Sequence, residues 1–189
     1  MLYCPWDVAK FFIFSSNVPN ILYYALIPGI FISIFLSSFV LFKKKKSLAT
    51  KLLFSMSLLF AIWGIFALIL FATNNPREVM IFWSLTILVE VMMYATGLYL
   101  TYVFIDQKDI SFTKKIIILC ILLPFLILTP WKQNLIGVVV ADCTAIEGVL
   151  ALYFSYAVEI LFVLWIIILG IVKAKKASRE TRKKIILFT

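Results

Sequence analysis

The chain is 189 residues long, 64% hydrophobic and only 14% charged, with a formal net charge of +9 and no histidine. A soluble domain runs near half apolar and a quarter charged, so this composition is that of a membrane protein. The missing histidine removes the commonest metal ligand and the usual general base. The lysines and arginines gather where apolar runs end, which directs them to a membrane surface and not to nucleic acid.

Residues 1–20 interleave Trp6, Phe11, Phe12 and Phe14 with Pro5, Ser15, Ser16 and Pro19. This stretch is too short and interrupted to cross a bilayer and reads as an extracytoplasmic segment at the interface. It lacks the marks of a cleaved signal peptide, because Asp7 stands where a basic stretch would be and no small-residue cleavage site follows. A first span is expected over 21–42, long enough for the ~30 Å hydrocarbon core. Pro28-Gly29 should kink it early, and Lys43 to Lys46 stop it.

The second span, 48–72, carries Trp63 and Gly64. Thr73-Asn74-Asn75-Pro76 then predicts a tight turn, since Asn and Pro supply the local hydrogen bonds and the fixed φ a turn needs. The third span, 78–105, bears a polar stripe. At steps of three and four residues Trp83, Thr86, Glu90, Tyr94, Gly97 and Thr101 fall on roughly one face. A carboxyl near the bilayer centre costs about 2.5–3.5 kcal/mol on insertion scales, so this helix belongs inside a bundle.

A polar loop over 106–115 leads to a short fourth span, 116–128, holding Pro124. Thr129, Pro130 and Trp131 close it at the interface, where tryptophan suits an aromatic belt. In the outer connection, 129–148, the β-branched run 135–140 predicts a short strand or hairpin. The fifth span, 149–172, includes Tyr153, Ser155, Tyr156, Glu159 and Trp165. A basic joint follows over 173–184, and 185–189 read as the first turn of a sixth helix.

Orientation comes from the cationic residues. The loop after the first span holds five, the loop after the third holds three and the C-terminal stretch holds seven, fifteen of the eighteen in the chain. Only Lys10, Arg77 and Lys132 fall on the other side. The positive-inside rule places the fifteen in the cytoplasm. The expected fold is therefore an all-α, polytopic, multi-pass protein of the cytoplasmic membrane. It has five transmembrane helices plus the start of a sixth, an external N-terminus and a cytoplasmic C-terminus.

Glu90 and Glu159 are the only carboxyls buried in spans, each near the middle of its own, so similar depths are expected. Ser155 and Tyr156 share the face of Glu159. No Lys or Arg in a span core stands ready to neutralise either acid, so each should be uncharged or line a wet cavity. The two could form a proton-responsive pair, a cation site or hooks for a ligand. Equally, each could be a neutral acid bonded to Tyr or Thr that glues helices together.

The aromatic set Trp63, Trp83, Tyr94, Tyr99, Tyr153, Tyr156 and Trp165 could line an apolar pocket or serve packing alone. Cys4 and Cys143 fall on the outer side, where disulfides persist. A bridge between them is open, because sequence does not set their distance. Cys120 reads as a small apolar residue. Asp142 and Glu147, on the outer loop, could meet a ligand or simply be solvated. There is no Gly-rich phosphate loop, no paired-cysteine motif, and no lysine within a span for a Schiff base. No catalytic residue, metal site or cofactor is expected, and the chain does not read as an enzyme.

From Leu52 onward, LLFSMSLLFAIWGIFALILFAT with its Trp63, the short turn, and FWSLTILVEVMMYATGLYLTYVF follow one another. A fourth helix with Pro124 and a Thr129 exit, a tyrosine-rich fifth helix and the basic joint ASRETRKKIILFT complete the series. Together these resemble the seven-helix N-terminal sensor region found ahead of many bacterial histidine kinases, over about residues 19–189. The chain departs from that pattern by stopping before helices six and seven and by carrying no kinase segment. The resemblance implies a dimeric two-component sensor in the lipid bilayer, relaying a membrane or extracytoplasmic signal to a cytoplasmic kinase or other output domain in cis or trans. Two further readings stand beside it: a small transporter or channel with Glu90 and Glu159 in the path, and a membrane scaffold for a partner helix.

Overall fold

The computed structural model describes residues 3–7, 9, 12–43 and 47–176. Lys44 to Lys46 of the first basic loop and the proposed start of a sixth helix lie outside the described residues. The chain is mostly helical, and four of its helices are long and apolar enough to cross a membrane. These are α1 (Asn20–Lys43), α2 (Leu48–Ala72), α3 (Pro76–Asp106) and the run Leu150–Lys175. That last run opens as a π-helical turn, Leu150–Ser155, and continues as α5 (Tyr156–Lys176). The remaining helix, α4 (Phe112–Leu128), has 17 residues. At 1.5 Å per residue it is about 25 Å long, shorter than the ~30 Å a bilayer core needs.

Local chemistry sets these boundaries. Ser47 caps α2 by accepting from the Thr50 N–H at 3.2 Å. The four-residue turn into α3 is tied by its own side chains. Asn75 Oδ1 accepts from the Arg77 N–H at 3.1 Å, while Glu78 accepts from the Thr73 hydroxyl at 2.6 Å and from Asn75 Nδ2 at 3.1 Å. Pro76 occupies the first turn, where its missing N–H costs nothing, and Glu78 complements the positive end of the helix dipole. α3 then runs 31 residues without a break and ends where Gln107 turns left-handed at φ 53°.

α3 is the central helix. It packs most extensively along α2 and next most along α5, it also touches α4 and the outer hairpin, and α1 packs along α2. Gly64 of α2 lets α1 approach closely: a Cβ there would lie 2.9 Å from the Ile30 Cδ1, so the Ile30 side chain would have to shift to admit it. One apolar core fills the space among α3, α4 and α5: Val91, Ala95, Leu98 and Tyr102 face Ile118, Phe125, Phe162 and Leu169. A smaller core holds Val18, Leu68 and Ala72 together, with Ile13 and Tyr23 packed on it.

The outer connection forms an antiparallel hairpin of β1 (Leu135–Val139) and β2 (Thr144–Glu147), pairing Val139 with Thr144 and Leu135 with Glu147. The N-terminal segment folds over the same end, where Cys4 N–H donates to the Asn74 carbonyl at 3.0 Å and Asn74 Nδ2 donates to the Trp6 carbonyl at 3.3 Å. A disulfide joins Cys4 to Cys143 at the hairpin tip, with the Cα atoms 5.5 Å apart. Cys143 itself is held in a left-handed conformation, φ 53°, which a non-glycine residue adopts only under local constraint.

Gly148 is the joint between hairpin and helix. Its N–H donates to the Asn134 carbonyl at 2.7 Å, and an added Cβ would lie 2.3 Å from the Gln133 carbonyl oxygen. Backbone cannot yield as a flexible side chain would, so Gly148→Ala should cost about 1–3 kcal/mol, the usual penalty of overpacking. A thermal unfolding series in detergent checks this; a melting temperature equal to that of the parent would show that the junction relaxes freely.

Candidate functional site: an acidic and aromatic cavity

A cavity of about 330 Å³ opens at the hairpin end, bounded by α2, α3, the π-helical turn with the start of α5, and the hairpin. Each wall follows from a local feature of the sequence. α2 brings Trp63, Ala67, Leu70 and Phe71, spaced at three and four residues, and α3 brings Trp83, Thr86, Ile87 and Glu90 by the same rule. The helix after Gly148 brings Ala151, Ser155, Tyr156 and Glu159. The hairpin closes the top with Cys143, Thr144 and Glu147, and the disulfide draws Trp6 of the N-terminal segment into the same wall.

Glu90, Glu159, Trp63, Trp83, Ser155, Tyr156 and Glu147 are thus brought together on one cavity. Tyr94 is left out: it lies a turn further along α3 and packs against the apolar core. Asp142 is exposed at the hairpin tip and does not line the cavity. Glu159 is the fourth residue of α5 and the tenth of the 26-residue run Leu150–Lys175, one turn past the π-helical turn.

Trp6 and the π-helical turn were invisible to periodicity. Trp6 enters only through the pairing of Cys4 with Cys143, two residues away from it. The π-helical turn arises from an i→i+5 pattern that apolar spacing does not encode, and such turns occur frequently at functional sites.

The polar groups divide into bonded and unbonded. Trp83 Nε1–H donates to Glu147 at 3.1 Å, tying the hairpin to α3. The Ser155 hydroxyl donates to the Ala151 carbonyl within its own helix. Among the described residues, neither Glu90 nor Glu159 completes a hydrogen bond of normal geometry or an ion pair. Trp63 Nε1–H is buried and approaches Glu90 without closing a bond. The two acids lie within electrostatic reach of each other, and among the described residues no lysine or arginine lines the cavity. Two half-buried carboxyls without partners face a space large enough for a small organic molecule.

At the opposite end, the same two helices are bound to each other. Trp165 Nε1–H of α5 donates to the Tyr102 hydroxyl of α3 at 2.9 Å, and Lys173 forms an ion pair with Asp106. Beside them, Asp109 accepts from Tyr99 at 2.6 Å and pairs with Lys115 at 2.5 Å, and Lys114 sits 4.0 Å over the Tyr102 ring. Between cavity and ties, the α3–α5 interface is filled by Val91, Ala95, Leu98, Val158 and Phe162, all buried.

The Lys115 ammonium first, and the Tyr99 hydroxyl second, hold the Asp109 carboxyl below its ordinary range. Because its folded pKa is depressed, whatever the contact contributes is fully present above the unfolded value of about 3.9 and is lost as pH falls through the lowered one. A carbonyl-carbon NMR titration of Asp109 in nanodiscs should give a midpoint below about 3.9 that rises in Lys115→Met; a midpoint at or above 3.9 would contradict the pairing.

Comparison of the chain with known protein families, with curated proteins and with solved structures finds no match. The class that the fold and site define is a helical membrane protein with an acidic, aromatic cavity at the end capped by the disulfide.

Proposed function

We propose that this chain is the membrane-embedded receptor region of a signalling protein. It sits in the cytoplasmic membrane with the N-terminal cap and hairpin outside and the basic joint inside. The cavity receives the signal, α3 and α5 carry it across, and the residues after α5 pass it to a cytoplasmic kinase or other output domain, in cis or trans, from a homodimer. The observation that carries this reading is that the two helices supplying the unpaired carboxyls are the two tied together at the far end by Trp165–Tyr102 and Lys173–Asp106. A change of packing at Glu90 and Glu159 therefore acts on a helix pair whose other end adjoins the basic joint.

Two facts support the orientation. The disulfide suits an oxidising outer compartment, and fifteen of eighteen cationic residues gather at the other end. On this orientation α4 is the fourth of five crossings, completed by the interfacial residues Thr129 to Trp131.

The transporter reading draws on the same cavity, since both acids line it. It needs a continuation past Glu90, and there Val91, Ala95, Leu98 and Phe162 are buried against one another. Flux through proteoliposomes separates the two readings. The receptor predicts proton and organic-cation flux equal to that of protein-free liposomes. Flux above that level, abolished by Glu90→Gln, would replace the receptor with a transporter.

A further inference from the structure

We propose that the cavity binds a lipophilic organic cation: an apolar body carrying a protonated amine, quaternary ammonium or similar onium centre. The inference rests on the reading of this cavity as the place where the signal is received, and it names the chemistry of that signal. The charges come first. Among the described residues, three carboxyls, Glu90, Glu147 and Glu159, line the space with no lysine or arginine beside them, and neither Glu90 nor Glu159 completes a hydrogen bond of normal geometry or an ion pair. With either acid ionised, an anion would meet like charge there, and a neutral molecule would leave that charge unpaired.

The walls come second. Trp6, Trp63 and Trp83 line the same space. An indole face is the best aromatic partner for a cation, and it is worth most where water is excluded. An inorganic cation fits poorly, because among the described residues no three acidic, cysteine or histidine side chains stand close enough together to hold a metal ion. A volume of about 330 Å³ also exceeds what a bare ion fills and suits a small organic ligand.

The route comes third. α2 and α5 flank α3 with little direct contact of their own, and Phe71 and Tyr156 stand exposed where the two helices border the cavity. A molecule partitioned into the outer leaflet can reach the carboxyls between them. Such an onium centre can belong to a free lipophilic cation or to the choline or ethanolamine headgroup of a lipid.

The test uses two probes of one shape and opposite charge. The full chain, in nanodiscs of phosphatidylglycerol alone, is titrated with tetraphenylphosphonium and with tetraphenylborate. Tryptophan quenching is followed, and the response of empty discs is subtracted. Saturable binding of the cation, at least about tenfold tighter than that of the anion, is expected, and Glu90→Gln/Glu159→Gln should weaken it about tenfold or more, each tenfold corresponding to 1.4 kcal/mol. Glutamine keeps the size of the side chain, and an intact Cys4–Cys143 bridge in the variant shows that it has folded.

Equal binding of the two probes, or cation binding indifferent to the double substitution, would overturn the proposal. Repeating the titration at one fixed phosphatidylglycerol fraction, with the remainder either phosphatidylcholine or an uncharged glycolipid, separates the sources, because the surface charge is then the same in both discs. Weaker apparent affinity with phosphatidylcholine than with the glycolipid assigns the site to a lipid ammonium headgroup, and equal affinity assigns it to a free cation; both keep the ligand class. Loss of cation binding alone would remove the ligand class and leave the receptor reading standing, because the coupling of α3 to α5 is measured without any ligand.

Discussion

Glu90→Leu and Glu159→Leu should each make the protein more stable, by on the order of 2 kcal/mol, because each removes a polar group whose cost within the bilayer is about 2.5–3.5 kcal/mol on insertion scales. The sign separates two accounts of these acids. A carboxyl that holds helices together through a hydrogen bond would leave a buried partner unsatisfied when replaced, and stability would fall by about 1–3 kcal/mol. Here neither Glu90 nor Glu159 completes such a bond, and Trp63 Nε1–H already lacks one. Functional sites often retain residues that cost stability, and substitutions that relieve the cost trade activity for it. Unfolding of the two variants in one detergent, read against the parent, decides the matter. A lower melting temperature in both would return the acids to a structural role.

The second large effect is expected from Cys4→Ser/Cys143→Ser. The bridge joins residues 139 apart in sequence and fixes three pieces at once: the N-terminal cap, the turn before α3 and the hairpin. Removing a native disulfide typically costs 2–5 kcal/mol in a small domain. In this chain the loss falls mostly on the cap, because the helices keep their own packing in α2, α3 and α5. Trp6 leaves the cavity wall with it, so quenching of tryptophan by an aqueous quencher should rise while helical content is unchanged. In the parent unfolded in dodecyl sulfate, an alkylating reagent should modify Cys120 alone before reduction and all three cysteines after it. Modification of three thiols before reduction would show that the bridge does not form.

The sequence carried the long helices well, because apolar runs of twenty or more residues leave few alternatives once the backbone must satisfy itself in lipid. The turn at 73–76 and the hairpin were legible for a similar reason: Asn, Pro and β-branched residues have narrow local preferences. Position within the cavity was legible only where helical periodicity applied, as for Trp83, Thr86 and Glu90 on α3. Tyr94 follows the same spacing yet lies outside the cavity lining, half-buried and packed against the core among α3, α4 and α5.

α4 begins at Phe112, four residues before the expected start of the fourth span, and the whole still falls short of a bilayer core. Trp6 and the disulfide depend on contacts between segments far apart in sequence, which no local pattern encodes. The π-helical turn depends on hydrogen-bond register, which apolar spacing does not report.

The coupling of α3 to α5 can be measured directly and without a ligand. Spin labels at Gln107 and Lys175, both exposed near the far ends of the two helices, report their separation by double electron–electron resonance in nanodiscs. If the state of the cavity is relayed along the pair, Glu90→Leu/Glu159→Leu should displace the main distance by about 1–2 Å or more, the scale of helix shifts in signalling proteins. Distance distributions that superimpose for the parent and the double variant would show that the cavity and the far end are independent, and the relay would have to be abandoned.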